Sequence, residues 1–198
     1  MLGVYDECNE GGTMIQQLLS HLTPPPQDPE NKKPPLHLYG IFNAEKYKNL
    51  WIKLECEWKF KHASLFADEA LEVSMNSVAP YLVYIPITHP RITMLLKHYG
   101  HGGTLFFWSE EGFAKVLERM QNLFEIRSED GDKGYFAFYR PDNIAQMMKS
   151  NSQIKNKLFN KTLCYFCEDD IDPDVLYKYS MTEHQVIRKN LKLKRKEL

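Results

Sequence analysis

The sequence has 198 residues, of which 43% are hydrophobic and 26% are charged. These proportions are typical of a globular protein and exclude a fibrous or disordered chain. The 25 basic and 26 acidic residues leave a net charge of -1, so no overall field draws the molecule to nucleic acid or to an anionic membrane. The length fits one domain with accessory segments.

No segment of the sequence indicates secretion or insertion into a membrane. The longest charge-free apolar stretch, residues 78–87, has ten residues, whereas a membrane span needs roughly twenty. The amino terminus lacks the basic and apolar regions of a signal peptide. We therefore expect reduced thiols in a cytoplasm for the four cysteines, Cys8, Cys56, Cys164 and Cys167.

Residues 1–35 are predicted to form an N-terminal segment that ends in a linker. Residues 14–22 are amphipathic, and six prolines follow them within twelve residues: Pro24, Pro25, Pro26, Pro29, Pro34 and Pro35. Proline fixes φ and lacks a backbone donor, so this run cannot form a helix or a central strand. The linker is expected to be stiff and extended.

Residues 36–150 carry alternating signals for strands and helices. Short apolar runs predict strands at residues 37–42, 81–85 and 104–108. Apolar residues at helical spacing predict three helices, with Ser109 as the expected N-cap of the third. Their apolar stripes are Tyr47, Leu50, Trp51, Leu54 and Trp58; Ile92, Leu95, Leu96 and Tyr99; and Phe113, Val116, Leu117, Met120 and Phe124.

The end of this core is predicted to be a hairpin followed by one more helix. Residues 124–127 and 135–139 flank a polar loop that contains two glycines, which is typical of an antiparallel hairpin. Pro141 then suits the first turn of a helix with one apolar face. That face consists of Ile144, Met147 and Met148.

Strands that alternate with helices favour parallel neighbours joined by right-handed crossovers. The predicted fold class is therefore α/β, with a mixed sheet, βαβ crossovers and a terminal antiparallel hairpin. Beyond residue 150 the pattern weakens, and residues 151–198 are predicted to form a smaller, mainly helical C-terminal lobe with a basic tail. We expect the core to fold without this lobe.

No catalytic signature is found in the sequence. It contains no Gly-x-Ser-x-Gly elbow, no Walker-type phosphate loop and no His-Glu-x-x-His pair. The nearest approach is the glycine-rich stretch 99–103, which follows a helix and precedes a strand, whereas phosphate loops need the opposite order. We interpret this stretch as a turn, and we predict no enzyme activity, no catalytic residue, no metal ligand and no cofactor.

Cys164 and Cys167 have the spacing of a redox pair or of half a zinc site. A zinc site would need two further ligands from distant parts of the chain. The acidic residues that follow directly, Glu168, Asp169 and Asp170, disfavour a thiolate. Buried strand thiols are the favoured interpretation, and a small thiol- or metal-dependent protein built on this pair remains the alternative function.

Two charged segments follow the cysteine pair. The acidic run 168–174 lacks the central glycine and distal glutamate of a calcium loop, so we interpret it as a solvated loop. Residues 183–198 carry six basic and two acidic residues, and Val186, Ile187 and Leu191 have helical spacing. This segment predicts a solvated basic helix. Contact with a partner's acidic face or with nucleic acid through this helix is a weaker hypothesis.

Several motifs follow one another in a specific order between residues 38 and 150. They are a strand near Tyr39, Ser64-Leu-Phe66, Val78-Ala-Pro-Tyr-Leu-Val83, Leu105-Phe-Phe-Trp-Ser109, the turn Asp130-Gly131 and Gly134-Tyr-Phe-Ala-Phe-Tyr-Arg-Pro141. This arrangement resembles the adaptor, or effector-chaperone, family of bacterial type VI secretion systems. That family usually places Arg two residues before the Tyr and Asp directly before the Pro, where this sequence has Ala137 and Arg140. Arg140 and Asp142 are a hypothetical replacement for that pair.

The resemblance implies that the protein binds a toxic effector in the bacterial cytoplasm and helps to load it onto the secretion spike. It implies no catalysis, and we assign no nucleic-acid or membrane partner. The basic terminal helix would offer one docking mode, in which a helix lies in a groove. The residues that we assign to partner binding are Tyr81, Tyr139, Arg140, Asp142, Ile187 and Leu191.

Overall fold

The structure is a computed structural model that describes residues 13–26, 34–67, 73–127, 130–150, 153–169, 171–182 and 185–193. The helices are α1 (Met14–Leu22), α2 (Leu50–Ile52), α3 (Val73–Asn76), α4 (Ile92–Leu96), α5 (Phe113–Phe124), α6 (Pro141–Lys149) and α7 (Gln153–Phe159). The strands are β1 (His37–Asn43), β2 (His62–Ser64), β3 (Pro80–Tyr84), β4 (Thr104–Ser109), β5 (Glu125–Arg127), β6 (Lys133–Tyr135), β7 (Thr162–Glu168), β8 (Val175–Met181) and β9 (Val186–Lys192). A 3-10 turn (Ala44–Lys46) precedes α2, and a π-helical segment (Lys53–Trp58) continues it.

Some of the predictions fall on residues outside these ranges. They concern Cys8, Asp170, the middle of the proline-rich linker and the end of the basic tail. Within the described ranges, no helix is long and apolar enough to cross a membrane.

The main sheet has seven strands in the order β2-β3-β1-β4-β7-β8-β9, and every neighbouring pair is antiparallel. The prediction of parallel neighbours is therefore wrong. The pairings imply that β1 and β2 run in the same direction with β3 between them, and that β3 and β4 do so with β1 between them. In both cases an antiparallel strand fills the space between the two strands that run in the same direction.

The strands β7, β8 and β9 belong to the same sheet as the strands of the preceding core. After α7 the chain forms β7, which pairs with β4, and then β8 and β9. The prediction of a mainly helical C-terminal lobe is therefore wrong. The spacing of Ile187 and Leu191 predicted a helix. Residues four apart share a face in a strand as well as in a helix, so this spacing does not distinguish the two.

Helices cover both faces of the sheet, so the core has two halves. One half contains Leu38 and Phe42 of β1 together with side chains from α1, α2, the π-helical segment and α4. The other half contains Tyr39 and Ile41 of the same strand together with side chains from α5, α6 and α7. This division follows from the alternation of side chains along a strand, and it confirms the mixed α/β character of the chain.

The hairpin forms where the sequence predicts it, but as a separate sheet of two strands, β5 and β6. Its second strand ends at Tyr135, and not at Tyr139, because Phe138 and Tyr139 turn into the core before α6 begins. The predicted N-cap of α5 is also wrong: Gly112 takes that position. Ser109 ends β4, and its Oγ donates to the carbonyl of Lys161 at 2.9 Å.

The amphipathic stretch in the N-terminal segment forms α1 with the predicted bounds, and this helix is part of the core. Leu18 and Leu22 are fully buried. The indole Nε1 of Trp108, in β4, donates to the carbonyl of Leu22 at 2.8 Å. Both contacts fasten α1 to the sheet.

We predict that Leu22→Ala lowers the free energy of unfolding by about 2–5 kcal/mol, because it leaves a cavity under α1. Urea denaturation measures this loss. Leu19→Ala, in the same helix but only partly buried, is the matched control and should cost clearly less. Equal, small losses in both variants would show that α1 does not pack on the sheet.

Candidate functional site

The six residues assigned to partner binding divide into buried and exposed groups. Tyr81, Tyr139 and Leu191 have exposed fractions of 4–5%, so their side chains lie in the core. Arg140 and Ile187 are exposed, and Asp142 is partly exposed, with 42% of its side chain accessible. The structure does not bring the six together through any described contact other than the ion pair between Arg140 and Asp142.

The two tyrosines of the motifs support the fold from inside. The hydroxyl of Tyr81 donates to the carbonyl and side-chain oxygens of Asn76, at 3.2 and 3.1 Å, and so joins β3 to the end of α3. Tyr139 packs beside Phe124 and Phe138. Burial raises the pKa of both tyrosines to about 12. The motif residues therefore position the backbone, and their side chains are not available to a partner.

Arg140 and Asp142 form an ion pair at the start of α6, with 3.4 Å between Nε and Oδ1. Pro141 lies between them at the first turn, where its fixed φ suits the helix. Because both side chains are exposed, the pair stabilises the fold by only about 0–1 kcal/mol. Its charges are accessible to a partner.

Cys164 and Cys167 lie on opposite faces of the sheet. Cys164 belongs to the core half under α1 and α4, and Cys167 to the half under α5 and α6. Three residues along a strand reverse the side-chain direction, so these sulfurs cannot form a disulfide with each other or bind one metal ion together. Burial also raises the pKa of the Cys164 thiol to about 12. Across the described ranges, no group of three or more His, Cys, Asp or Glu residues could hold a metal ion.

Two surface cavities lie along α5. One, of about 580 Å³, is lined by residues that include Lys61, Glu111 and Phe113. The other, of about 450 Å³, is lined by residues that include Glu111, Arg119 and Lys157. Neither cavity is lined by a histidine, cysteine, serine or threonine.

The glycine-rich stretch 99–103 binds a side-chain carboxyl group of the same chain through its backbone amides. The amides of Gly100 and Gly102 donate to Oε2 of Glu168, at 3.1 and 2.7 Å. Both glycines have positive φ, 92° and 69°, which other residues rarely adopt. The stretch is therefore more than the simple turn that the sequence indicated.

Glu168 is only 2% exposed, which corrects its assignment to a solvated acidic loop. No sequence pattern predicts this burial directly, because Glu168 stands beside two aspartates. Its position at the end of an apolar strand is the one indication of it. Its second oxygen, Oε1, has no hydrogen-bond partner in the described part of the chain. The neighbouring hydroxyls of Tyr47 and Thr104 bond to each other at 2.7 Å.

Burial raises the pKa of Glu168 to about 7. The hydrogen bonds that the backbone amides of Gly102 and Gly100 donate to its carboxyl group act in the opposite direction and lower this pKa. His98 lies in the same region, with its ring 4.9 Å from that of Tyr47. Burial lowers the pKa of His98 to about 4. A buried acid, Glu168, and a half-buried base, His98, thus lie beside the same loop, and each favours its neutral form.

The described residues define an α/β scaffold whose seven-stranded antiparallel sheet is covered by helices on both faces. Comparison with protein families gives one match, a family described as a domain of unknown function (DUF4123), over residues 38–156. The match covers more than half of the chain, so the chain belongs to this family. Searches of curated proteins and of solved structures found no match.

We predict that Glu168→Gln changes the pH dependence of stability. Between pH 4.5 and about 7 the folded wild-type chain keeps a proton that the unfolded chain releases, so its free energy of unfolding falls as pH rises. The gap between the two pKa values corresponds to roughly 3 kcal/mol. Glutamine cannot ionise, so the variant should gain up to this amount relative to wild type across the interval.

Urea denaturation at several pH values between about 4.5 and 7.5 measures this change. His98 acts with the opposite sign, because its lowered pKa makes stability rise with pH. The quantity to compare is therefore the difference in free energy of unfolding between wild type and variant at each pH. Glu118→Gln, on the exposed side of α5, is the control variant. Its difference in free energy of unfolding from wild type should stay near zero. If plots of the free energy of unfolding against pH run parallel for wild type and Glu168→Gln, the prediction is contradicted.

We also predict that Cys164 and Cys167 do not react while the protein is folded. In a variant with Cys8→Ser and Cys56→Ser, a thiol reagent should label no cysteine under native conditions and two in urea. Burial and the raised pKa of Cys164 are the reasons. Rapid native labelling, or stoichiometric zinc by elemental analysis, would instead favour the thiol- or metal-dependent alternative.

Proposed function

We propose that this protein is a non-enzymatic adaptor that binds a type VI secretion effector in the bacterial cytoplasm and helps to load it onto the spike protein. One observation carries the proposal: the family match at residues 38–156 covers the residues whose ordered motifs resemble type VI secretion adaptors. The proposal involves no nucleic acid, membrane or cofactor.

The packing of the motif residues supports a binding role. Leu82 and Val83 of β3 are fully buried, as is Phe106 of β4, so the motifs build a rigid scaffold. A scaffold of this kind holds its surface in one conformation before a partner arrives, which reduces the entropy that binding costs. The starting point of α6, with Arg140 and Asp142, is one surface feature that such a scaffold presents.

Thiol or metal chemistry is the alternative function, and two observations weigh against it. The sulfurs of Cys164 and Cys167 lie on opposite faces of the sheet. A raised pKa also leaves Cys164 without the thiolate that such chemistry needs.

The test is co-expression with the type VI secretion toxins and spike proteins that are encoded in the same genome. Capture of the tagged adaptor should retain both partners. Arg140→Ala should weaken retention of at least one partner about tenfold, or about 1.4 kcal/mol, and should leave thermal stability unchanged because the ion pair is exposed.

Lys149→Ala is the matched control, because Lys149 is an exposed cation at the other end of the same helix. It should retain both partners as the wild type does. If the folded wild-type protein captures neither the toxin nor the spike protein, the proposed function is wrong. If only Arg140→Ala has no effect, partner binding lies elsewhere on the surface.

A further inference from the structure

The seven-stranded sheet ends on one side at β9, and no described strand pairs with the outer edge of β9. This edge strand has seven residues, whereas β2, at the opposite end of the sheet, has three. A row of outward backbone donors and acceptors is a template for another extended segment. We refer to the outer side of Val186–Lys192 as the β9 edge.

Two hydrogen bonds establish which residues of β9 face outward. The amide of Leu193 donates to the carbonyl of Asp174 at 2.7 Å, and the amide of Thr182 donates to the carbonyl of Gln185 at 2.9 Å. Both bonds lie in register with the β8–β9 pairing. Hydrogen-bonded and non-hydrogen-bonded pairs alternate along an antiparallel ladder. The backbone groups of Arg188 and Asn190 therefore point to the outer edge, and those of Lys189 point to β8.

The β9 edge is basic on both faces of the sheet. Val186–Lys192 contains Arg188, Lys189 and Lys192 and no acidic residue. Lys189 is opposite Lys178 of β8 and shares its face of the sheet, whereas Arg188 is opposite Tyr179 on the other face. An extended segment on this edge would therefore meet positive charge on either side.

Aromatic rings hold two of these cations against the sheet. The guanidinium of Arg188 lies 4.7 Å from the ring of Tyr177, and Nζ of Lys178 lies 4.6 Å from that of Trp108. Cation–π contacts of this kind fix the position of a charge without neutralising it. Lys178 can still attract a carboxylate of a partner. Arg188 also acts on the carboxylate of Asp169, whose pKa it helps to lower.

A second copy of this chain is a poor occupant for the edge. Two β9 strands side by side would bring three cations against three, and like charges on paired strands are destabilising. Lysines on an edge strand are a common protection against self-association. The same charges favour a strand of opposite sign.

We propose that the β9 edge binds an extended acidic segment of a partner protein, which adds a strand to the sheet. The amide and carbonyl groups of Arg188 and Asn190 supply backbone hydrogen bonds, and the flanking cations select carboxylate side chains. The inference rests on the proposed function for the identity of the partner, because it specifies the chemistry of the segment that an effector or spike protein presents.

The experiment uses the full chain and a fluorescent peptide of about ten residues in which threonine and glutamate alternate. Fluorescence anisotropy should show saturable binding that weakens at least tenfold between about 50 and 500 mM salt. A peptide with lysine in place of glutamate should not bind. A glutamate peptide that is N-methylated at alternate residues should lose most of its affinity, since it cannot complete the ladder.

Asn190→Pro isolates the backbone contribution. It removes an outward N–H while leaving the bonds to β8 in place, a position where edge strands tolerate proline, and it should weaken peptide binding at least tenfold. Asn190→Ala, with the N–H retained, should bind as the wild type does. The triple variant Arg188→Gln, Lys189→Gln, Lys192→Gln should lose both affinity and salt dependence. Circular dichroism verifies that each variant is folded.

Equal binding by the folded Asn190→Pro and Asn190→Ala variants, or equal affinity for the lysine peptide, would overturn the proposal. A concentration-dependent dimer that Asn190→Pro abolishes would instead assign the edge to a second copy and would also overturn it. If the peptide binds but the protein captures neither toxin nor spike, the proposal for the β9 edge stands and the adaptor function is rejected. If the protein captures toxin and spike but does not bind the peptide, the adaptor function stands and the proposal for the β9 edge is rejected.

Discussion

The pairing of β4 with β7 is the interaction on which the rest of the structure depends. All six residues of β4 are buried, and β4 has β1 on one side and β7 on the other. Tyr165 and Phe166 of β7 are fully buried on opposite faces. Removal of residues 151–198 would therefore expose both halves of the core, and the expectation that the core folds without them does not agree with this packing.

The same pairing places Glu168 against the glycine-rich stretch 99–103. Leu105 is opposite Cys167 in the ladder, so the next residue of β7, Glu168, reaches the start of β4 where the glycine-rich stretch ends. The carboxyl group of Glu168 accepts hydrogen bonds from two part-buried amides, those of Gly100 and Gly102. A donor that is fully buried without a partner costs about 1–3 kcal/mol. One strand register thus explains the positive φ values of Gly100 and Gly102 and the raised pKa of Glu168.

The sequence allowed the positions of most core elements to be predicted, because their apolar spacing is local. The stripe with Leu95, Leu96 and Tyr99 is buried as expected. Strand order was not predictable, since no local feature shows that an antiparallel strand fills the gap left by a crossover. The pairing of Arg140 with Asp142 was a hypothesis drawn from the family resemblance. The role of Glu168, in contrast, depends on a contact between residues far apart in the chain.

The family match and the β9 edge lie in different parts of the chain. The match ends at residue 156, before β7 begins at Thr162, so β7, β8 and β9 lie beyond it. Yet these strands complete the sheet that the matched residues begin, and the edge takes its rigidity from that sheet. A scaffold of this design can keep its core while the charge on its last strand changes, because the outward groups of Arg188 and Asn190 make no contribution to the β8 ladder. Specificity for one partner would then depend on the side chains of a single edge strand, and the acidic or basic character of that strand would decide which extended segments can join the sheet.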